Sequence, residues 1–216
     1  MGNRDFQDEK LDSYLESVCE KEPALLKELR LKTIENFEAH HMVSGHVQGR
    51  FLSLISKILQ PRHILEIGTF TGYASLCLAE GLSADGKLTT LEIDEKMAEF
   101  YSDYFQKSKF NHQIFPVVED AISYLQRTDE TYDLVFLDAN KKKYMTYFDL
   151  LVPKMTTGGM ILADNTLWKG EVLENRNQQS SLGQAISDFN NHVAKDERVE
   201  VVLLPLRDGI SLIRKK

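Results

Sequence analysis

From Pro61 onward the sequence alternates short apolar runs with amphipathic stretches, and this alternation constrains the fold more than any other feature. The runs occupy residues 63–67, 87–93, 113–118, 132–137, 160–163, 199–204 and 210–213. Segments with helical spacing fall between most of them, at 73–80, 95–107, 121–125, 144–151 and 182–194. Strands that alternate with helices build a mostly parallel sheet covered on both faces. The last two runs are joined only by residues 205–209, too short for a crossover helix, so they should pair antiparallel. The expectation is an α/β fold with a mostly parallel seven-stranded sheet and an antiparallel last strand.

The first sixty residues read as helices instead. Leu11, Tyr14, Leu15 and Val18 recur at helical spacing. Pro23 can open a second helix with Leu25, Leu26 and Leu29 on one side. Val47, Phe51, Leu54, Ile55 and Ile58 form a third stripe, which Pro61 stops. Residues 40–45 read as a loop. The chain is therefore expected to be one domain over 1–216, with a helical extension over about 1–60.

Composition narrows the class. The chain has 216 residues, 42% hydrophobic and 27% charged, enough apolar material for a full core. A formal net charge of -7 argues against nucleic acid or an anionic membrane as a constitutive partner. Cys19 and Cys77 are too few for a disulfide framework or a zinc site. The opening residues 1–10 are polar and do not form a signal peptide, and Phe6 stands where a myristoylation signal needs Ser or Thr. No apolar run approaches the roughly 20 residues of a membrane span. A cytoplasmic, soluble protein is expected.

In open α/β sheets, ligands bind beyond the carboxyl ends of the strands. The first strand runs into Glu66-Ile67-Gly68-Thr69-Phe70-Thr71-Gly72-Tyr73. The Gly-x-x-x-Gly spacing lacks the middle glycine of the dinucleotide fingerprint, and a carboxylate at Glu66 repels a diphosphate. Glu66 suits a cationic ligand better, and S-adenosylmethionine (SAM) carries an ammonium and a sulfonium with no phosphate. Glu92, at the end of the second strand, can accept hydrogen bonds from two ribose hydroxyls, although NAD enzymes share that feature. The alternative for Gly68 and Gly72 is a plain strand-to-helix turn.

A second set of oxygen ligands sits at two later strand ends. One gives Asp138-Ala139-Asn140-Lys141 and the other Asp164-Asn165. Asp138, Asp164 and Asn165 form a hard-oxygen set suited to Mg²⁺, with Ca²⁺ or Mn²⁺ as alternatives. Taken alone, Asp164-Asn165 could equally cap a helix. Lys141, beside a cation and a sulfonium, should have its pKa lowered by like charge and so act as a general base. Trp168 is the only tryptophan, and could wall an aromatic substrate or the cofactor's adenine by stacking, or simply fill the core.

Together, Glu66 to Tyr73, Asp138-Ala139-Asn140-Lys141 and Asp164-Asn165-Thr166-Leu167-Trp168 resemble the cation-dependent O-methyltransferase family of caffeoyl-CoA and catechol enzymes. The resemblance runs from about Leu25 to the end of the chain. It implies a Rossmann-like SAM-binding fold and a homodimer supported by the N-terminal helices. It also implies a metal on Asp138, Asp164 and Asn165, with Lys141 and Asp138 catalytic. Carried over to the cofactor side are Ser44, Glu66, Gly68, Thr69, Tyr73, Ala74, Glu92, Asp120, Ala121 and Asp138. Lys141, Trp168 and Lys169 fall on the substrate side. The family's serine after Gly-Tyr is Ala74 here, so Ser75 would have to supply its hydroxyl. Glu119-Asp120 replaces a Gly-Pro pair near the adenine, and Lys169 replaces an asparagine that contacts substrate in the plant enzymes.

The expected reaction is methyl transfer from SAM to a hydroxyl of a small aromatic substrate with adjacent hydroxyls. A rival is methylation of a tRNA hydroxyuridine, with Lys141, Lys142, Lys143 and Arg176 bordering the site. Rivals of other classes are an NAD-linked oxidoreductase and a non-catalytic cofactor sensor.

Overall fold

A computed structural model describes residues 9–216. Residues 1–8, including the Phe6 position read above, lie outside the described residues. The helices are α1 (Glu9–Val18), α2 (Ala24–Asn36), α3 (Gly45–Leu59), α4 (Tyr73–Ala79), α5 (Glu95–Lys107), α6 (Ala121–Arg127), α7 (Tyr144–Leu151) and α8 (Ser181–Lys195). The strands are β1 (His63–Ile67), β2 (Lys87–Glu92), β3 (Ile114–Val118), β4 (Tyr132–Leu137), β5 (Met155–Asp164), β6 (Val199–Leu204) and β7 (Ile210–Lys215). Residues 40–45, expected as a loop, contain a short 3₁₀ turn at His40–Met42.

The strands form one seven-stranded sheet in the order β3-β2-β1-β4-β5-β7-β6. β1 is parallel to β2 and β4, and β7 runs antiparallel to both β5 and β6. The order reverses between β1 and β4, which opens a crevice at their carboxyl ends. Side chains alternate across the sheet. Leu65, Ile67, Val135, Leu137 and Ile161 pack with Leu125, Phe148, Ile186 and Phe189 of α6, α7 and α8. Ile64, Leu134, Phe136 and Leu162 face the other way, onto Leu29, Leu52, Leu78 and Phe105. The N-terminal helices α2 and α3 thus complete one of the two layers that cover the sheet.

Two local expectations need correction. The buried face of α3 is Gln48, Gly49, Arg50, Leu52, Ser53 and Ser56, while Leu54 and Ile58 of the apolar stripe are exposed. The reason is close approach to α4: a Cβ on Gly49 would lie 2.7 Å from the Tyr73 ring, so small residues take the contact. The fifth strand begins at Met155, not at 160. Its first half, Thr156-Thr157-Gly158-Gly159, carries no apolar run, and Gly158 turns the chain at φ 81°. On α1, Leu11, Tyr14 and Val18 are all exposed. No helix among the described residues is long and apolar enough to cross a membrane.

Candidate active site

The turn after β1 is built on glycine geometry. Gly68 has φ 103°, and a Cβ there would fall 2.0 Å from the Asp138 carbonyl oxygen. Gly72, at φ 85°, precedes α4 with Phe105 packed against it. Backbone bonds tie the neighbouring strand ends together: Gly68 N and Thr69 N donate to Leu91 O, and Asp138 N donates to Ile67 O at 2.9 Å. Glycine at 68 therefore lets the β1 turn lie directly on the end of β4.

Glu66 is fully buried. The Ser75 and Thr90 hydroxyls donate to its Oε2, while Oε1 has no partner among the described residues. Burial pushes its carboxyl up to about 8, against the pull of those two hydroxyls. An unsatisfied buried carboxyl oxygen calls for a polar partner. Ser75, the candidate replacement for the hydroxyl missing at Ala74, is thus already engaged by Glu66. Glu92 is fixed by backbone donors, Phe70 N to one oxygen at 2.8 Å and Ile93 N and Asp94 N to the other.

Gly68 and Glu92 border a cleft of about 740 Å³ at the carboxyl ends of β1, β2 and β4, while Glu66 lies buried behind its lining. Gly68, Glu92, Asp120, Ala121 and Asp138 line it, as do Phe37 and Met42 from the N-terminal layer. A small recess beside Gly68 is bordered by Ser44, Thr69, Tyr73 and Ala74. The Tyr73 hydroxyl turns away from it and donates to Glu22 Oε1 at 2.7 Å. The acidic pair at the β3 end of the cleft is occupied: Asp120 caps α6 and pairs with Lys143 at 2.9 Å, and Glu119 pairs with Arg127. His40 and His41 are exposed and do not line the cleft, and His46 Nε2 donates to the Glu20 carbonyl.

The rim at β4 and β5 gathers the second set. Lys141 Nζ donates to Asp138 Oδ1 at 2.6 Å and to the Tyr144 hydroxyl oxygen at 2.7 Å. Asp164 is 4% exposed; its Oδ2 accepts from Gln48 Nε2 at 2.7 Å and its Oδ1 from Asn165 N at 2.8 Å. Burial and the nearby Asp138 charge raise the Asp164 carboxyl above its ordinary range, although Lys141 and Gln48 oppose them. Asn165 holds a left-handed backbone at φ 59°. The lowered lysine pKa expected from sequence applies with a cation and a sulfonium in place; the protein's own groups act in the opposite direction. Burial alone would push the Lys141 ammonium down, but Asp138 and Tyr144 outweigh it and hold it well above the ordinary lysine range.

The donor chemistry fits a divalent cation. Two carboxylates close enough to perturb one another concentrate negative charge at one rim, and hard oxygens of this kind suit Mg²⁺, Ca²⁺ or Mn²⁺. Asp138, Asp164 and Asn165 would hold such an ion.

Beyond the rim, Trp168, Lys169 and Gly170 all take positive φ, at 46°, 55° and 81°. Lys169 N donates to Asp208 Oδ1 in the β6–β7 turn. Trp168 packs against the core beneath α8 and does not line the cleft. Of the cations proposed to border a tRNA site, Lys141 and Lys143 are paired as described and Arg176 pairs with Asp188. Sequence reasoning missed Tyr144, Gln48 and Arg207. Tyr144 sat at helical spacing from Lys141, a usable signal; the other two reach the rim only through tertiary contacts.

An O-methyltransferase family model matches residues 16–216. Caffeoyl-CoA O-methyltransferase 2 of Populus trichocarpa is 32% identical over 210 residues, covering 92% of this chain and 85% of its own. Among solved structures, the SAH-bound methyltransferase PaMTH1 of Podospora anserina superposes with TM-score 0.90 at 27% identity, covering 100% of this chain and 98% of its own. The O-methyltransferase of Bacillus cereus in complex with SAH gives TM-score 0.86 at 30% identity, covering 96% and 97%. These matches displace the NAD-linked and non-catalytic readings. The chain belongs to the O-methyltransferase family that includes the caffeoyl-CoA enzymes, and it is a SAM-dependent O-methyltransferase.

Proposed function

We propose that the chain methylates a hydroxyl of a small aromatic substrate bearing adjacent hydroxyls, with a divalent cation on Asp138, Asp164 and Asn165. The observation that carries this reading is the meeting of Asp138, Asp164 and Lys141 at one rim, with Asp138 also lining the cofactor cleft. In this reading Glu66 receives the ammonium of SAM and Glu92 its ribose. Gly68, Thr69, Ser44, Tyr73 and Ala74 border the methionine part, and Asp120 and Ala121 the adenine. When bound, the cation supplies a positive charge that favours the ionised form of a phenol whose ordinary pKa is near 10.

Lys141 enters charged, because Asp138 and Tyr144 hold its proton. Its first role is then to donate to the acceptor oxygen and orient it; with Asp138 holding the cation, its grip on the ammonium loosens, and Lys141 can lose its proton and then take that of the hydroxyl. Lys169 and Trp168 belong to the loop flanking the acceptor. The substrate class follows the name of the Populus relative, and a vicinal pair of oxygens would fix the acceptor in line with the methyl group.

The reading further takes 1–216 as one cytoplasmic catalytic domain. It pairs two copies through the exposed apolar residues of α1 and α3. A methyl-transfer screen over catechols, flavonoids, phenylpropanoid-CoA esters and undermodified tRNA, with and without Mg²⁺, tests it. Activity on a vicinal diol that is lost in chelator and in Asp164→Ala is expected. Undiminished activity in excess chelator would remove the cation from the reading.

A further inference from the structure

Asp164 is reached from a distant part of the chain. Gln48, on the buried face of α3, is 1% exposed, and its Nε2 donates to Asp164 Oδ2 at 2.7 Å. The other end of the same amide, Oε1, accepts from Arg207 Nη1 at 3.0 Å. Arg207 lies in the β6–β7 turn at φ 49°, and Nη1 also donates to the backbone carbonyls of Val43 and Ser44. A guanidinium can only donate, so the amide atom facing it must be the oxygen. The nitrogen is thereby turned to the carboxylate. Arg207 thus does two things at once: it fixes the polarity of the Gln48 amide, and it pins the 43–44 backbone where α3 begins.

The chemistry matches what a carboxylate of this kind needs. A buried carboxylate without a donor would swing toward Lys141 or take up a proton. A neutral amide donor holds one rotamer while adding no positive charge that would compete with a cation. Groups standing behind a ligand carboxylate in this way commonly tune metal affinity 10–100-fold. We propose that Gln48 is a positioning residue for Asp164, with Arg207 fixing which end of its amide faces the carboxylate. The proposal rests on the reading that Asp164 holds a divalent cation.

The test uses the full chain and Mn²⁺ as the probe, with affinity read by calorimetry in wild type, Gln48→Met, Arg207→Met and the double variant. Gln48→Met keeps the length of the side chain and removes both polar ends. It is expected to weaken Mn²⁺ about tenfold, with SAM affinity unchanged. Arg207→Met should weaken Mn²⁺ in the same direction by a smaller factor, and the double variant should be no worse than Gln48→Met alone. With catechol as acceptor, kcat should fall while the KM for SAM holds. Arg207 stands at the surface, so its variant remains informative if Gln48→Met fails to fold.

Folded variants that bind Mn²⁺ like wild type would overturn the proposal, as would effects that multiply in the double variant. If wild type itself binds no Mn²⁺, the cation reading falls on its own. The positioning role is then decided by kcat, and an unchanged value overturns it.

Discussion

The Lys141 ammonium donates to the Tyr144 hydroxyl oxygen across 2.7 Å, and that hydroxyl in turn lies 2.9 Å from the Leu137 carbonyl and 3.0 Å from the Asp164 carbonyl. One buried phenol therefore touches the ends of β4 and β5 and the lysine between them. Its ring is held edge-on by Phe189, with centroids 5.2 Å apart.

Replacing Tyr144 with Phe keeps this ring packing and deletes only the oxygen. Lys141 loses an acceptor, and one strand-end carbonyl loses a donor. Buried groups left unsatisfied in this way cost about 1–3 kcal/mol. Urea denaturation of Tyr144→Phe should show that loss, and kcat should fall because Lys141 is less well fixed. A variant as stable and as active as wild type would show that the hydroxyl does not hold the rim.

Gly68→Ala tests the contact between the cofactor turn and the rim. The added Cβ would sit 2.0 Å from the Asp138 carbonyl oxygen, with backbone at φ 103°. Neither can be relieved by a rotamer change, so β1 and β4 must separate at their ends. The expected result is a stability loss of about 2 kcal/mol or more, together with weaker SAM binding by calorimetry.

Glu66 gives a pH dependence whose sign can be worked out. Its folded carboxyl is pushed up to about 8, against an ordinary value of 4.5. Between these values the folded protein keeps a proton that the unfolded chain has lost. The stability so conferred is complete below about 4.5 and disappears as pH rises through 8. The melting temperature of the SAM-free protein should therefore fall from pH 5 to pH 8.5, and Glu66→Gln should flatten that slope. Thermal melts across this range check it; equal slopes in the two proteins would contradict the burial argument.

Glu80 has the opposite sign. Burial alone would raise it, but bonds from Arg50, Lys57 and Ser53 bring it down to about 2. Its contribution is present above about 4.5 and lost as pH falls toward 2. The Arg50 side chain is 8% exposed and would be left charged and unpaired without it. Glu80→Ala should cost about 3–5 kcal/mol at neutral pH, with a shallower acid transition than wild type. A small loss would mean that water reaches Arg50 once the carboxylate is gone.

The strands and the strand-end carboxylates were legible because each is a local pattern. Glu66, Glu92, Asp138 and Asp164 announce themselves as acids ending apolar runs, and the structure brings all of them to one edge of the sheet. The first half of β5 was not legible, since Thr156 to Gly159 carry no apolar pattern and span the irregularity between the Tyr132–Met155 and Leu134–Met160 pairs. Nor was the inner face of α3. Its buried Gln48, Gly49 and Ser53 look polar or small in sequence and are chosen by what α4 and Asp164 require. The contact between Lys141 and Asp138 was within reach of the sequence, three residues apart, and in the protein alone it holds the ammonium proton in place.

The sheet order carries a consequence for synthesis. Among the described residues β6 pairs only with β7, and β7 fills the place between β5 and β6. A chain growing from its N-terminus thus exposes β5 with a bare edge, and then β6 with no partner, until residues 210–215 arrive. Unpaired edges of this sort invite association with other chains. During that interval the turn bearing Arg207 and Asp208 is also untethered, so the nascent protein can assemble the cleft at the ends of β1, β2 and β4 before the β5–β7 side is closed.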